Sequence, residues 1–394
     1  MTSKLKIIAA AALAAVFVQP VAADNVKVGI ITTLSGPNAS LGQQMDQAIK
    51  LYNKLHARDI APHTVEIVLR DDTGPAPDVA RRIAQELITR DRVNILGGVV
   101  FTPNAHAIAP LATEAKMPLV IMNAGTSVTT TLSPYFARVS FTLWQSSFPM
   151  GQWAHQAGIR SVFTAVTDYG PGHDAEAAFT KAFTEAGGKI AGSVRMPLAN
   201  PDFVPFIQRA KDANPEAVFT FVPAGRQATA FMKAFGERGM REANIRLIGP
   251  GDIVTDEELP NMGDVPLGVV TMHHYSSVHD SPTNREFQAA WKKEYGPNAV
   301  PGFMAVGAWD GMAAIYHVIK QQNGKLDGDR TMALLKGWKH ESPRGPIMID
   351  PDTRDIVQNE YIRRVEKLGN ALANIEIGTI PQVKDPWKVF NPPK

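Results

Sequence analysis

The sequence predicts an α/β fold of two similar units, each with a mainly parallel sheet, and three observations support this prediction. From residue 24 onward, short runs rich in valine and isoleucine alternate with longer segments of helical period, which is the pattern of βα units. The chain has 394 residues, 44% of them hydrophobic, and chains of that length generally divide their core between domains. No long Pro-, Gly- or Ser-rich linker separates the halves, which favours a chain that passes more than once between two lobes.

The first unit opens with a strand at 26–32 and a helix at 41–57. The helix has one apolar face because hydrophobic residues recur every three or four positions, at Leu41, Met45, Ala48, Tyr52 and Leu55. The alternation continues through strand 65–69, helix 78–90, strand 93–96, helix 104–115 and strand 119–122.

The second unit repeats this order over a similar length. It is predicted as strand 161–166, helix 174–186, strand 189–196, helix 203–213, strand 217–222, helix 226–238 and strand 245–249. After an extended segment at 268–274, helices at 284–295 and 303–322 precede short extended stretches at 347–349 and 359–364. The proline-rich end, 381–394, is expected to form an irregular tail.

The N-terminus has the pattern of a cleavable secretory signal peptide, residues 1–23. Lys4 and Lys6 precede the apolar run 7–18, and small residues follow at 21–23. The run is shorter than the roughly 20 residues of a membrane span. The chain contains no cysteine, which excludes disulfides, thiolate metal sites and a lipidated cysteine. We therefore expect a soluble periplasmic protein that is not a lipoprotein.

Charge and missing motifs exclude several classes of function. Lys4 and Lys6 carry the whole formal net charge of +2, so the remaining chain offers no basic surface for nucleic acid or membrane. No phosphate loop, dinucleotide fingerprint, serine elbow or HExxH pair occurs. The adjacent His273 and His274 are expected on opposite faces of a strand, unable to chelate one metal. We expect no metal and no cofactor.

The loops that follow the first-unit strands predict the position of a ligand site. Gly97-Gly98 and Asn123-Ala124-Gly125 lie at strand carboxyl ends, the edge of a parallel sheet at which helix N-termini and free amides converge. Such groups favour an anion, and Thr102 and Thr126 can add hydroxyl donors. The alternative for Thr126 is a helix cap or turn that serves its own backbone.

A series of motifs in one order extends over nearly the whole chain after residue 23. They are Leu34-Ser35-Gly36-Pro37, Gly97-Gly98, Ala109-Pro110-Leu111, Ala124-Gly125-Thr126-Ser127, Asp168-Tyr169-Gly170, Gly249-Pro250 and Ala308-Trp309-Asp310. In this combination the sequence resembles the branched-chain amino-acid-binding proteins, the type I periplasmic solute-binding components of ABC importers.

The resemblance implies two Rossmann-like lobes with parallel sheets, joined by a three-crossover hinge. Lobe 1 would comprise 24–140 and 275–357, and lobe 2 would comprise 141–274 and 358–394, with crossovers near 138–142, 274 and 358–361. A protein of this kind is not an enzyme. It would hold a small carboxylate or amino acid between the lobes as a monomer and deliver it to an ABC permease and ATPase complex in the inner membrane.

The resemblance also implies which residues bind the solute. Ala124, Gly125 and Thr126 would hold its carboxylate, with Phe101 and Thr102 alongside, and Tyr169 would close over it from the facing lobe. These residues are the core of the expected site.

Departures from the family concern the amino group of the solute. Gly251 stands where the family has a glutamate for an ammonium, and Asp252 is displaced by one residue. Arg226 adds a guanidinium, which suits the carboxylate of an aromatic acid such as a hydroxycinnamate, although it can equally be a solvated residue of its helix. Trp144 and Tyr275 are candidates to line an aromatic slot, the alternative being packing near the hinge.

Two other functions stay open at this stage. The same fold can serve as a solute receptor for a signalling partner, and the absence of a fused signalling segment after residue 394 favours transport. A secreted hydrolase or lyase could use the same cleft. It would require a nucleophile or base and turnover of a substrate.

Overall fold

The computed structural model describes residues 23–392, so the predicted signal peptide lies outside the described residues except for its last position. The first lobe contains a parallel five-stranded sheet of order β2-β1-β3-β4-β5. Its strands are β1 (Asn25–Thr32), β2 (Thr64–Asp71), β3 (Ile95–Gly98), β4 (Leu119–Ile121) and β5 (Phe136–Arg138). The connecting helices are α1 (Ala39–His56), α2 (Pro77–Thr89) and α3 (Thr102–Glu114).

The second lobe repeats the arrangement with parallel strands in the order β10-β9-β8-β6-β7. The strands are β6 (Ser161–Thr167), β7 (Lys189–Met196), β8 (Ala217–Phe221), β9 (Arg246–Pro250) and β10 (Val270–His273). Its helices are α4 (Leu143–Gln156), α5 (Gly170–Glu185), α6 (Val204–Asp212) and α7 (Arg226–Glu237). The βα units predicted from the sequence are thus present in both lobes.

The chain passes between the lobes three times. It leaves the first lobe after β5, and it returns after β10 to form α8 (Pro282–Tyr295), α9 (Phe303–Gln321) and α10 (Gly328–Leu335). Helix α8 is attached to the first lobe, since the Tyr295 hydroxyl donates to the Gln47 carbonyl at 2.7 Å. The third passage lies within the long strand β13 (Ile356–Leu368).

Strand β13 joins the two lobes. It pairs antiparallel with β12 (Gly345–Ile349), which in turn pairs with β11 (Lys339–Ser342), and with β10 of the second lobe. It also forms a hairpin with β14 (Ala371–Val383). The lobes therefore share a continuous strand.

The prediction of an irregular tail at 381–394 is wrong for its described part. Residues 381–383 end β14, and a short helix, α11 (Pro386–Phe390), follows. Asp385 caps this helix by accepting from the Trp387 amide at 3.0 Å. The helix is fixed in place because Lys388 is buried and forms an ion pair with Asp355.

Two smaller expectations also need correction. Leu55 is half-exposed and lines a surface cavity because it lies in the last turn of α1. The rings of His273 and His274 lie next to each other, with centroids 4.2 Å apart, because β10 ends at His273 and the strand alternation does not extend to His274. Among residues 23–392, no cluster of three or more His, Asp or Glu side chains is arranged to hold a metal ion.

Candidate ligand-binding site

The loop 124–126, which follows β4, presents free amide groups. The buried Arg138 guanidinium lies beneath it and donates to the carbonyls of Ala124 at 2.7 Å and Thr126 at 2.9 Å. The Gly125 carbonyl accepts from the Leu143 amide at 3.0 Å. Within the described chain the amides of Gly125 and Thr126 donate no hydrogen bond. The carbonyls of this loop are already hydrogen-bonded, whereas these two N–H groups are free. The two amides are therefore available to an anion.

Two threonine hydroxyls lie beside these amides. Thr126 Oγ1 donates to Thr102 Oγ1 at 3.0 Å, and both side chains are buried. Thr102 is the first residue of α3 and Phe101 is its buried N-cap residue, so the positive end of the helix dipole lies at the same place. The hydroxyls, the amides and the helix end together form a donor-rich site.

The second lobe lies directly against this site at the start of α5. A Cβ built on Gly170 would lie 2.9 Å from Thr126 Oγ1 and 3.6 Å from Thr102 Cγ2. Nearby, the Ser127 amide donates to Asp174 Oδ2 across the lobes at 2.8 Å. Burial raises the pKa of Asp174 to about 6. The lobes are therefore in contact around the donor-rich site.

Tyr169 precedes Gly170 and belongs with it to the second-lobe wall, the surface of the second lobe that faces the donor-rich site. Its ring stacks on Phe221 with centroids 6.1 Å apart, which fixes its orientation. Burial, with a smaller contribution from the charge of Asp252, raises the pKa of its hydroxyl. Tyr169 thus connects the Gly170 contact with the loop that contains Asp252.

Asp252 is a buried carboxylate in the short 3₁₀ turn after β9. Its side chain is 5% exposed, and its Oδ2 atom has no hydrogen-bond partner among the described residues. Burial raises its pKa to about 7. At Gly251 a Cβ would lie 2.2 Å from Arg363 Nη2 and 2.4 Å from His273 Cγ. A glutamate at 251, as the family resemblance would have it, has no room here.

Three of the predicted residues make contacts that favour their structural alternatives. Trp144 packs against Phe148 and Phe390, with centroids 6.3 and 6.1 Å away. The Tyr275 hydroxyl donates to Asn284 Oδ1 at 3.1 Å and accepts from Gln288 at 2.9 Å. Arg226 is exposed at the first position of α7.

The predicted site omitted two residues that shape it, Arg138 and Asp174. Arg138 lies in the predicted crossover 138–142, but its partners are the distant Asp355 and backbone carbonyls, which no local sequence signal indicates. Asp174 follows the Tyr169 motif by five residues and bonds to the other lobe. A residue pair formed only when two lobes meet has no local sequence signal.

Comparison with known proteins identifies the family of this chain. A family profile described as periplasmic binding protein matches residues 25–370. The Leu/Ile/Val-binding protein homolog 6 of Brucella melitensis is 43% identical over 365 residues, which are 92% of this chain and 94% of that protein. The chain therefore belongs to the periplasmic binding protein family.

Solved structures of solute-binding proteins share the fold. One from Rhodopseudomonas palustris BisB5, in complex with 3,4-dihydroxybenzoic acid, has 53% identity and a TM-score of 0.90, over 93% of this chain and 99% of that one. Another ABC transporter protein from R. palustris, in complex with 4-hydroxybenzoate, has 44% identity and a TM-score of 0.89, over 92% and 98%. The predicted family, fold and role in solute binding are confirmed. No helix in the described part of the chain is both long and apolar enough to cross a bilayer.

Proposed function

We propose that this protein is the extracytoplasmic solute-binding component of an ABC importer and that its solute is an aromatic carboxylate of the benzoate class. Residues 1–23 would direct its export and then be cleaved. The protein would act as a periplasmic monomer without a lipid anchor and pass its solute to a permease and ATPase complex. It would bind without turnover. The two lobes that close over the solute would be 24–140 with 275–357, and 141–274 with 358–394.

The observation that carries this proposal is the pair of free amides at Gly125 and Thr126, reinforced by the Thr102 and Thr126 hydroxyls. The two amides and the Thr102 hydroxyl, whose oxygen accepts from Thr126, would donate to the oxygens of a carboxylate, and hydrogen bonds to a charged acceptor are about twice as strong as neutral ones. Ala124 and Phe101 would complete this half of the site.

The second lobe supplies the features that favour an aromatic ring. Tyr169 is a half-buried aromatic residue that stacks on Phe221, and the ring of a benzoate gains free energy by packing against aromatic side chains. The hydroxybenzoate and dihydroxybenzoate complexes of the R. palustris proteins, at 44% and 53% identity, support the same class of solute.

A branched-chain amino acid is the second candidate. The name of the Brucella relative supports it, and so does the free oxygen of Asp252, which could accept from an ammonium group. Against it, position 251 has no space for the glutamate that serves this purpose in the resembled family.

Calorimetric titration with benzoate, 4-hydroxybenzoate and leucine separates the candidates. We expect saturable 1:1 binding of the benzoates and none of leucine at the same concentrations. Tight binding of leucine without binding of any benzoate would replace the proposal by the second candidate. Heat that continues after saturation, with a new product, would indicate an enzyme instead.

A further inference from the structure

The carboxylate of Asp252, on the second-lobe wall, is buried with one oxygen unsatisfied within residues 23–392. It is 5% exposed and Oδ2 has no partner among the described residues. The neighbouring Arg363 does not serve it: its guanidinium bonds to Thr271 Oγ1 at 3.1 Å and to the Tyr275 carbonyl, and its ion pair is with Asp256 at 3.9 Å. A buried carboxylate oxygen without a donor is costly, so a donor from the solute would relieve that cost.

The position of Asp252 relates it to the carboxylate site through the second-lobe wall. Gly170 lies next to Thr126, and Tyr169, which precedes it, stacks on Phe221 at the end of β8. Asp252 follows β9, the strand that pairs with β8. Asp252 therefore lies on the lobe that faces the Gly125 and Thr126 amides. A benzoate held by those amides directs its para position away from them, toward the facing lobe.

The number of free acceptors distinguishes a hydroxyl from an ammonium. A ring hydroxyl has one hydrogen to donate, and Asp252 offers one unpartnered oxygen. An ammonium has three hydrogens and a positive charge, and it would approach a carboxylate that the Arg363 charge already acts on. The hydroxyl needs less from the site than the ammonium.

We propose that Asp252 accepts a hydrogen bond from the para-hydroxyl of the solute and thereby makes the protein selective for 4-hydroxylated benzoates over benzoate and over amino acids. This inference rests on the proposed function. The second lobe would then recognise the hydroxyl and the first lobe the carboxylate. A 4-hydroxybenzoate would therefore contact both lobes.

The test is calorimetric titration of benzoate, 4-hydroxybenzoate and 4-methoxybenzoate against the wild type, Asp252→Leu and Glu258→Gln. It is done at pH 8, above the pKa of about 7 that burial gives Asp252, so that this side chain is ionised. Leucine at 252 keeps the branched shape of the side chain and removes the acceptor. Glu258 is a matched control, a buried carboxylate whose oxygen already accepts from Thr229 and Asn261 at 3.0 Å. Thermal melts check that each variant folds, and Asp252→Asn replaces Asp252→Leu if the latter does not.

We expect the wild type to bind 4-hydroxybenzoate about 10- to 100-fold more tightly than benzoate or 4-methoxybenzoate, the range for a hydrogen bond to a charged group. Asp252→Leu should reduce this ratio to about one, or Asp252→Asn should reduce it at least about threefold, and Glu258→Gln should leave it unchanged. An unchanged ratio in the Asp252 variant would overturn the role of Asp252 alone. So would a wild type that binds 4-hydroxybenzoate and benzoate with equal affinity. A wild type that binds no benzoate would overturn the proposed function itself.

Discussion

The contact between Gly170 and Thr126 allows closure of the lobes to be tested separately from folding. A Cβ at Gly170 would lie 2.9 Å from Thr126 Oγ1, closer than side-chain atoms normally approach. Because the two residues belong to different lobes, this close contact arises only when the lobes meet. Overpacking of this kind costs about 1–3 kcal/mol. Gly170→Ala should therefore weaken binding of 4-hydroxybenzoate about 5- to 150-fold.

The stability of the unliganded protein should respond in the opposite direction. Gly170 is the first residue of α5, and alanine is favoured over glycine in helices by up to about 1 kcal/mol. With the lobes apart nothing opposes this gain, so the melting temperature without ligand should stay the same or rise. Affinity is measured by calorimetry and stability by thermal denaturation.

Gly236→Ala is the matched control for this prediction. A Cβ at Gly236, in α7, would also lie 2.9 Å from a neighbour, the Val265 Cγ2 atom, but both residues belong to the second lobe. This variant should lose thermal stability and keep its affinity. Equal affinities of Gly170→Ala and the wild type would refute the reasoning that ligand binding brings these surfaces together.

Three further predictions concern single residues of the site. Thr126→Ala should weaken 4-hydroxybenzoate binding by about 0.5–1.5 kcal/mol, because the Thr102 hydroxyl loses the hydrogen bond that orients it, whereas Thr126→Ser should retain most of the affinity in the same titration, and equal losses in both would contradict a role of the hydroxyl. Arg138→Met should lower the free energy of unfolding in urea by about 1–3 kcal/mol, because the buried carbonyls of Ala124 and Thr126 lose their donor, while Lys388 still pairs with Asp355; a loss below about 1 kcal/mol would contradict this. Burial raises the pKa of Asp252 from 3.8 to about 7, so between these pH values the folded protein holds a proton that the unfolded chain releases, and stability falls as pH rises through this window. Asp252→Asn should reduce that fall by on the order of 4 kcal/mol in urea titrations at pH 4 and pH 8, and an identical pH dependence in both proteins would show that Asp252 is not buried as a neutral acid.

The elements that the sequence predicted well are those with a clear period. Helix α1 was predicted from its apolar face and strand β7 was predicted at 189–196, and each agrees with the structure within two residues. Helix α4 was missed because nearly every residue from Leu143 to Gly151 is buried, so no polar face marks it. Its capping box, Thr142 with Gln145, was the available signal.

The candidate site was predictable where it depends on backbone geometry and unpredictable where it depends on distant partners. The loops at strand ends pointed to Thr102 and Thr126, and the structure brings their hydroxyls to 3.0 Å. Trp144 and Tyr275 were considered only because they lie near crossovers. Their actual partners, Phe390 and Gln288, become neighbours only after the chain has folded.

The central claim is that free amides of the first lobe hold the carboxylate of an aromatic acid while the second lobe covers its ring. A crystal structure of the protein with 4-hydroxybenzoate tests this most directly. We predict carboxylate oxygens within about 3 Å of the Gly125 and Thr126 amide nitrogens, the usual hydrogen-bond distance, with the ring against Tyr169. A carboxylate bound elsewhere, with these two amides in contact with solvent, would contradict the account.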